Sequence, residues 1–177
     1  MKRTMSEEIK NTTENAAEAP IIHDAELHAI IGEAFPDAVM VASPQIATYA
    51  VKPERLQSFA LFLRDDLRCG YDFPLLCTGV DRAPENRMEV FYHLLRSRDG
   101  RKVVIKIDLD RAEPKLPTLA NIYRSFDWHE REQMELLGIT FEGHPDPRKL
   151  LLDDTYTGYP LRKEYEDEAH EYIKRPY

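Results

Sequence analysis

Cysteine is scarce in this sequence, and long apolar runs are missing from it. Only Cys69 and Cys77 occur among the 177 residues, eight positions apart. Because an iron–sulfur cluster takes about four cysteine ligands, these two cannot hold one by themselves. Two lone cysteines favour a reducing compartment. No stretch approaches the ~20 consecutive apolar residues of a membrane helix, so we expect any membrane association to go through partners.

The motifs of common enzyme sites are also missing. The sequence has no G-x-G-x-x-G and no Walker A loop, so it indicates no nucleotide site. His129 and Glu130 begin as an H-E-x-x-H zinc site would, but Gln133 stands where the second histidine belongs. No serine or cysteine lies in a nucleophile motif. We therefore predict no catalytic, cofactor-binding or metal-binding residue on this chain.

Charge and length limit the remaining classes of protein. The net charge of −8 disfavours nonspecific binding to nucleic acid, which depends on an excess of Lys and Arg. A chain of this length can form one self-supporting core. Residues 1–20 are polar, lack the apolar region of a secretory signal, and carry the acidic residues that transit peptides avoid. We expect them to form a disordered N-terminal tail.

Residues 21–126 have the pattern of an α+β domain. Helix patterns cover residues 24–35 and 53–69, and strand patterns cover 38–42, 45–51, 73–80, 87–98 and 101–109. The run 73–80 is mostly apolar, which is typical of a central strand. We predict a mixed, mostly antiparallel sheet of four or five strands with helices on one face. Residues 113–117 are interpreted as a proline-rich hinge, and Thr118 as the cap of a short helix.

Residues 127–177 are predicted to form a second region, which consists of a motif helix and an extended C-terminal arm. Asp127 is the expected N-cap, with Glu130 three residues on as in a capping box. Gly138 is suited to end the helix in the left-handed conformation. The rest has several Gly and Pro interruptions and an apolar run, Leu150–Leu152, but little periodicity. An extended apolar segment of this kind favours wrapping around a partner.

These residues also carry a family resemblance. Along about 37 residues stand Glu130-Arg131-Glu132, Leu137-Gly138-Ile139, Phe141, Gly143-His144-Pro145, Gly158 and Pro160-Leu161-Arg162-Lys163. This order and spacing resemble the signature of the 30 kDa subunit, or C subunit, of proton-translocating NADH:quinone oxidoreductase (complex I). The resemblance implies a compact α+β domain followed by an extended C-terminal arm that lies on a neighbouring subunit.

The resemblance further implies a structural role in the peripheral arm of that complex. The complex moves electrons from NADH or another low-potential donor through iron–sulfur clusters to quinone, and couples this transfer to proton translocation. Its clusters, its quinone, and its FMN and NADH would reside on other subunits. The expected partners are chiefly the D subunit, which carries the quinone site, and the B and I subunits. The expected location is peripheral, on the cytoplasmic side of a bacterial or archaeal plasma membrane.

Eleven positions are implied by the resemblance to form the subunit interface. They are Glu130, Arg131, Glu132, Gly138, Gly143, His144, Pro145, Pro160, Leu161, Arg162 and Lys163. For the three charged helix residues, a solvated face with weak ion pairs is the alternative. For His144, the alternatives are a turn residue with local hydrogen bonds and a metal ligand. Residues 164–177 are expected to reach a neighbouring subunit.

Other functional classes stay open at this point. One is a C-like subunit of a related membrane-bound hydrogenase or of a ferredoxin-, plastoquinone- or deazaflavin-linked complex, since such subunits share the motif. Another is a free-standing protein-binding domain. An independent enzyme has the least support, because the sequence offers no nucleophile, metal cluster or nucleotide loop.

Overall fold

Five strands form the main sheet in the computed structural model, which describes residues 24–41, 43 and 45–166. The strands are β1 (Val39–Val41), β2 (Ala47–Ala50), β3 (Phe73–Arg82), β4 (Arg87–Leu95) and β5 (Lys102–Asp110). Their order across the sheet is β1-β2-β5-β4-β3. Only the pairing of β2 with β5 is parallel, so the predicted mixed, mostly antiparallel sheet is confirmed. The predicted N-terminal tail, residues 1–20, lies outside the described residues.

Alternation along β4 and β5 sets which face of the sheet is buried. On β5, Val103, Ile105 and Ile107 are fully buried, whereas Lys102 and Asp108 are exposed. The two strands are joined by the predicted Asp-Gly turn, in which Arg96 and Arg101 share a backbone hydrogen bond of 2.8 Å. The period of two therefore places one apolar face towards the helices.

Two helices cover that apolar face. They are α1 (Asp24–Ala34) and α2 (Leu56–Asp65), and α2 follows a 3-10 turn at Pro53–Arg55. The predicted buried stripe of α2 is confirmed, and it consists of Leu56, Phe59, Ala60 and Leu63. Together with the inward residues of the strands, these side chains form one core.

Strand β3 lies at an edge of the sheet, so the prediction that residues 73–80 form a central strand is wrong. The strand is apolar although it lies at an edge, because a third helix, α3 (Phe126–Leu137), packs along this edge and covers it. The N–H of Cys77 donates to His129 Nδ1 at 3.0 Å, and the N–H of Gly79 donates to Gln133 Oε1 at 2.9 Å. His129 and Gln133, one helical turn apart, thus accept hydrogen bonds from alternate amides of β3. In a wider sheet, a further strand would accept these bonds.

A second, two-stranded sheet replaces the predicted hinge. Residues Lys115–Pro117 form β6, which pairs in parallel with β7 (Thr140–Glu142) directly after α3. The helix expected after Thr118 is absent, since residues 119–125 form turns in the described chain. Thr118 Oγ1 accepts a hydrogen bond from the N–H of Ala120 within this turn. The pairing of β6 with β7 brings residues 115–118 beside the motif region.

Gly79 permits the close approach of α3 to β3. A Cβ atom at this position would lie 2.5 Å from Leu137 Cδ1 and 2.9 Å from Ile139 Cδ1. We expect Gly79→Ala to lower the free energy of unfolding by ~1–3 kcal/mol, the range for overpacking of a filled core. Urea unfolding followed by circular dichroism measures this change.

Gly32→Ala is the matched control, because a Cβ atom at Gly32 in α1 would have no neighbour within 4 Å. It should leave stability unchanged or raise it by up to about 1 kcal/mol, as alanine is the better helix former. Equal effects of the two substitutions would contradict the tight contact at Gly79.

Candidate functional site

The start of α3 differs from its prediction. Ser125, rather than Asp127, is the N-cap residue, and neither residue forms a capping box with Glu130. The physical reason is that Glu130 points inward and bonds to other elements. Its place three residues after Asp127 is therefore a coincidence of spacing.

Glu130 is fully buried and joins three parts of the fold. Its carboxylate accepts hydrogen bonds from the Tyr92 hydroxyl of β4 at 2.9 Å and from the N–H of Leu119 at 2.8 Å. The hydroxyl of Thr118 donates to its second oxygen. Burial raises the pKa of Glu130 to about 7, although these three donors favour the ionised form. Neither a solvated face nor an exposed ion pair describes this residue.

His144 is buried beside this carboxylate. Its Nδ1 atom accepts from the N–H of Asp146 at 3.1 Å, as expected for a turn residue with a local hydrogen bond. Since Nδ1 accepts, the ring proton lies on Nε2, which is 3.2 Å from the backbone oxygen of Asp127 and 3.8 Å from Glu130 Oε2. Within the described ranges, no group of three or more His, Cys, Asp or Glu residues is arranged to hold a metal ion.

Replacement of Glu130 tests its burial. In Glu130→Gln, the amide oxygen can accept from Tyr92 and Leu119, while the amide nitrogen can donate to Thr118. The raised pKa means that native Glu130 holds its proton more tightly than the unfolded chain does. Its contribution to stability is present below pH 4.5 and lost as the pH rises through about 7, a change of about 3 kcal/mol.

The measurement is the free energy of unfolding of both proteins from pH 5 to pH 8. The parent protein should lose stability relative to Glu130→Gln across this window. Parallel curves for the two proteins would show that Glu130 is not the buried acid described here.

The C-terminal arm, defined as residues 143–166, is held against the outer side of α3. Arg131 donates from Nε to the carbonyl of Arg148 at 2.8 Å and from a terminal nitrogen to that of Lys149 at 2.9 Å. One turn further, the buried carboxylate of Glu135 accepts three backbone N–H groups, of Leu150, Leu151 and Leu152, at 2.8–3.1 Å. Two helix side chains therefore fix five consecutive residues by their backbone.

A second attachment lies at the C-terminal end of α3. Gly138 ends the helix with φ +71°, as predicted, and the ring of Tyr159 covers it. The N–H of Leu161 bonds to the carbonyl of Leu136 at 3.0 Å, and Arg162 Nε bonds to that of Leu137 at 2.7 Å. Helix carbonyls that lack intrahelical partners are thus satisfied, and the guanidinium lies where the helix dipole favours a cation.

The last attachment joins the C-terminal arm to the sheet. The N–H of Lys163 donates to a carboxylate oxygen of Asp81 on β3 at 2.9 Å. Arg111 binds both oxygens of Asp81, at 2.6 and 3.0 Å, and also bonds to Glu164. The guanidinium of Arg111 lowers the pKa of Asp81 and keeps it ionised.

The eleven predicted interface positions differ in their exposure. Glu130 and His144 are buried, Arg131, Glu132, Gly138, Pro160 and Arg162 are half-buried, and Gly143, Pro145, Leu161 and Lys163 are exposed. Their role at an interface stays a prediction. Large apolar side chains of α3 and the C-terminal arm are nevertheless exposed: Trp128 is 66% exposed, Leu151 62%, Leu161 56% and Tyr159 43%.

Several residues of this region were not singled out from the sequence. Tyr92 and Asp81 are distant in sequence from their partners, and no local pattern indicates them. Glu135 had a weak signal, since it shares the i, i+4 spacing with Arg131 on one side of the helix. That spacing alone does not reveal that both side chains bind a backbone.

The anchoring of the C-terminal arm is tested by Glu135→Ala. Loss of the carboxylate leaves the three N–H groups of Leu150–Leu152 without their acceptor. Hydrogen bonds to charged groups contribute ~1.5–3 kcal/mol, so amide exchange at these positions should accelerate at least tenfold. Hydrogen exchange read by mass spectrometry measures this rate.

Glu132→Ala is the matched control, because the Glu132 carboxylate bonds within the same helix, to Gln133 at 3.3 Å. It should leave exchange at Leu150–Leu152 unchanged. Slow exchange in Glu135→Ala would show that other contacts hold this segment.

Fold and site together define a class of protein: an α+β domain whose last helix closes a sheet edge and holds an extended C-terminal arm. Residues 49–171 match the family described as "Respiratory-chain NADH dehydrogenase, 30 Kd subunit". The chain belongs to this family, and the resemblance found in the motif region is confirmed.

Curated relatives agree with this assignment, and each is a C subunit of NADH-quinone oxidoreductase. The chain is 37% identical over 153 residues to that of Chloroherpeton thalassium, covering 84% of this chain and 63% of that protein. It is 40% identical over 119 residues to that of Sinorhizobium medicae, covering 67% and 59% respectively. The C subunit numbered 2 in Rhizobium meliloti is 39% identical over 142 residues, with 78% and 77% covered. The chain thus spans less than two thirds of the first two relatives.

Two solved structures share the fold. A chain described as Nqo5, the trypsin-resistant fragment (1-134), superposes with a TM-score of 0.59 at 24% identity, covering 68% of this chain and 98% of that one. A chain of an archaeal respiratory membrane complex, the membrane-bound sulfane sulfur reductase, gives 0.69 at 21% identity, with 84% and 98% covered. Among the described residues, none of the helices has the length and apolar character needed to span a membrane.

Proposed function

We propose that this chain is a structural subunit of the peripheral arm of a complex I-like NADH:quinone oxidoreductase. Membership of the 30 kDa subunit family supports this role. The proposed complex transfers electrons from NADH, or another low-potential donor, through iron–sulfur clusters to quinone, with coupled proton translocation. In this proposal the chain itself contributes no catalytic residue and no cofactor ligand.

The observation that carries the proposal is the firmly attached C-terminal arm with its exposed apolar side chains. Leu151, Tyr159 and Leu161 of the arm are each more than 40% exposed, although the N–H groups of Leu151 and Leu161 bond to α3, and Trp128 of α3 itself is 66% exposed. A backbone already held in place loses little freedom on binding, and Trp, Tyr and Leu side chains supply much apolar area. Such residues fit a contact surface for a neighbouring subunit.

The proposed partners are chiefly the D subunit, with the quinone site, and the B and I subunits, with iron–sulfur clusters. The proposed location is peripheral, on the cytoplasmic side of the plasma membrane. A structural protein of this kind contributes to activity by holding cofactor-bearing neighbours at fixed separations. The half-buried and exposed members of the eleven predicted positions are proposed contacts, whereas Glu130 and His144 support the surface from below.

A related complex with another electron donor is the second candidate. The same fold occurs in a chain of the membrane-bound sulfane sulfur reductase, an archaeal respiratory membrane complex with a different name from the curated relatives. The 37–40% identity to curated NADH-quinone oxidoreductase subunits favours the first candidate. The companion subunits in the purified assembly would distinguish the two.

Affinity purification of the tagged chain from gently solubilised membranes tests the proposal, with mass spectrometry and an iron assay as readouts. We expect a membrane assembly containing iron–sulfur and quinone-site subunits. Leu161→Asp should reduce their recovery about tenfold or more, since an interface hot spot contributes ~2 kcal/mol.

Leu67→Asp is the matched control, because Leu67 is 90% exposed and lies in the loop after α2, outside the C-terminal arm. It should leave recovery unchanged. Purification of the parent chain alone, soluble and without iron, would contradict the proposed function.

A further inference from the structure

The main sheet has a second face, turned away from α1 and α2. Strand register places Leu76 beside His93 and His93 beside Val104, while their sequence neighbours Cys77, Tyr92 and Ile105 point into the core. We define the open face by six outward residues of the three neighbouring strands β3, β4 and β5. Leu76 is exposed, Val80, Phe91, His93 and Leu95 are half-buried, and Val104 is buried, although none belongs to the core formed with the helices.

Along β4 the open face is more apolar than a face exposed to water should be, whereas β5 turns Lys102, Lys106 and Asp108 outward. Antiparallel sheets with one solvated side normally alternate between apolar residues inside and polar residues outside. Here the outward positions at the centre of β4 are Phe91, His93 and Leu95, and Leu76 of β3 is 42% exposed. Burial, with Lys102 nearby, lowers the pKa of His93, so this side chain is neutral at pH 7. His93 therefore adds no charge to the centre of the open face, although Lys102 and Lys106 of β5 lie beside Leu95 and Phe91.

Charged residues at one end of the open face neutralise one another. Glu89, only 2% exposed, is bonded by Arg82 at 2.8 Å and by Lys106 at 2.9 Å, and Arg87 also binds it. Arg87 further pairs with Glu85 and Asp108. Three cations thus face three carboxylates, and no net charge is left at this end of the open face. A complementary surface would be apolar and uncharged.

Area and charge argue against a second copy of this chain as the occupant. From β3 to β5 the sheet spans roughly 10 Å, and residues 89–95 of β4 span roughly 20 Å, which gives an area of about 200 Å². A stable dimer buries ~800 Å² on each partner. Two copies would also each carry a net charge of −8 and repel. A contact of this size suits a chain that is also held elsewhere.

We propose that the open face binds an uncharged, apolar surface of a different subunit of the same assembly. The inference rests on the proposed function, because the C-terminal arm supplies the second attachment that a small contact requires. The open face and the C-terminal arm would then hold this chain at two separate places.

Protection of an introduced thiol tests the proposal. Both native cysteines are buried, so a water-soluble maleimide reports on Leu76→Cys in the full chain. We expect Leu76→Cys to react readily in the isolated full chain and at least tenfold more slowly in the purified assembly. Leu67→Cys, in the exposed loop after α2, should react at similar rates in both.

Three outcomes would overturn the proposal. Equal labelling of Leu76→Cys in the chain and the assembly would show that the open face stays in water, even while co-purification upholds the proposed function. Protection in the isolated chain that grows with concentration would assign the face to a second copy. Protection at every concentration would assign it to the chain's own residues. Failure to recover an assembly would instead contradict the proposed function itself.

Discussion

The amide groups of Cys77 and Gly79 lie at an edge of the main sheet and bond to side chains of α3 instead of a strand. An open edge would leave these donors in water and available to other chains. The bonds also fix α3 along β3, and Gly79 permits the approach by having no side chain. The C-terminal arm lies on the opposite side of α3. The contact between α3 and β3 therefore also sets the position of the arm.

Burial of Glu130 joins parts of the chain that are far apart in sequence. Its carboxylate connects β4, the turn after β6 and α3 through three hydrogen bonds. A buried carboxylate is costly without partners, so these donors must be in place for the helix to dock. His144 lies against the same cluster, which ties the beginning of the C-terminal arm to the interior.

Patterns of short period were predictable from the sequence, and long-range partners were not. The alternation of β5, the buried stripe of α2 and the glycine that ends α3 depend on neighbouring residues alone. The apolar run of β3 has the same composition whether a strand or a helix covers it, so the edge position could not be read. Glu130 sits among other charged residues, and only the tertiary fold brings Tyr92 to it. The spacing of the motif residues nevertheless identified the family, because a sequence pattern can be matched without knowledge of the contacts that its residues make.

The attachment of the C-terminal arm to α3 uses its main chain. Arg131 binds two carbonyl oxygens and Glu135 binds three N–H groups, so neither helix residue recognises a side chain between Arg148 and Leu152. Lys149 also bonds backbone carbonyls of the arm, but the exposed side chain of Leu151 is free to change during evolution without detaching the segment. A lineage could exchange Leu151 for a side chain suited to a different neighbour while the backbone of the segment keeps its path. The binding surface and the contacts that hold it in place could therefore evolve independently.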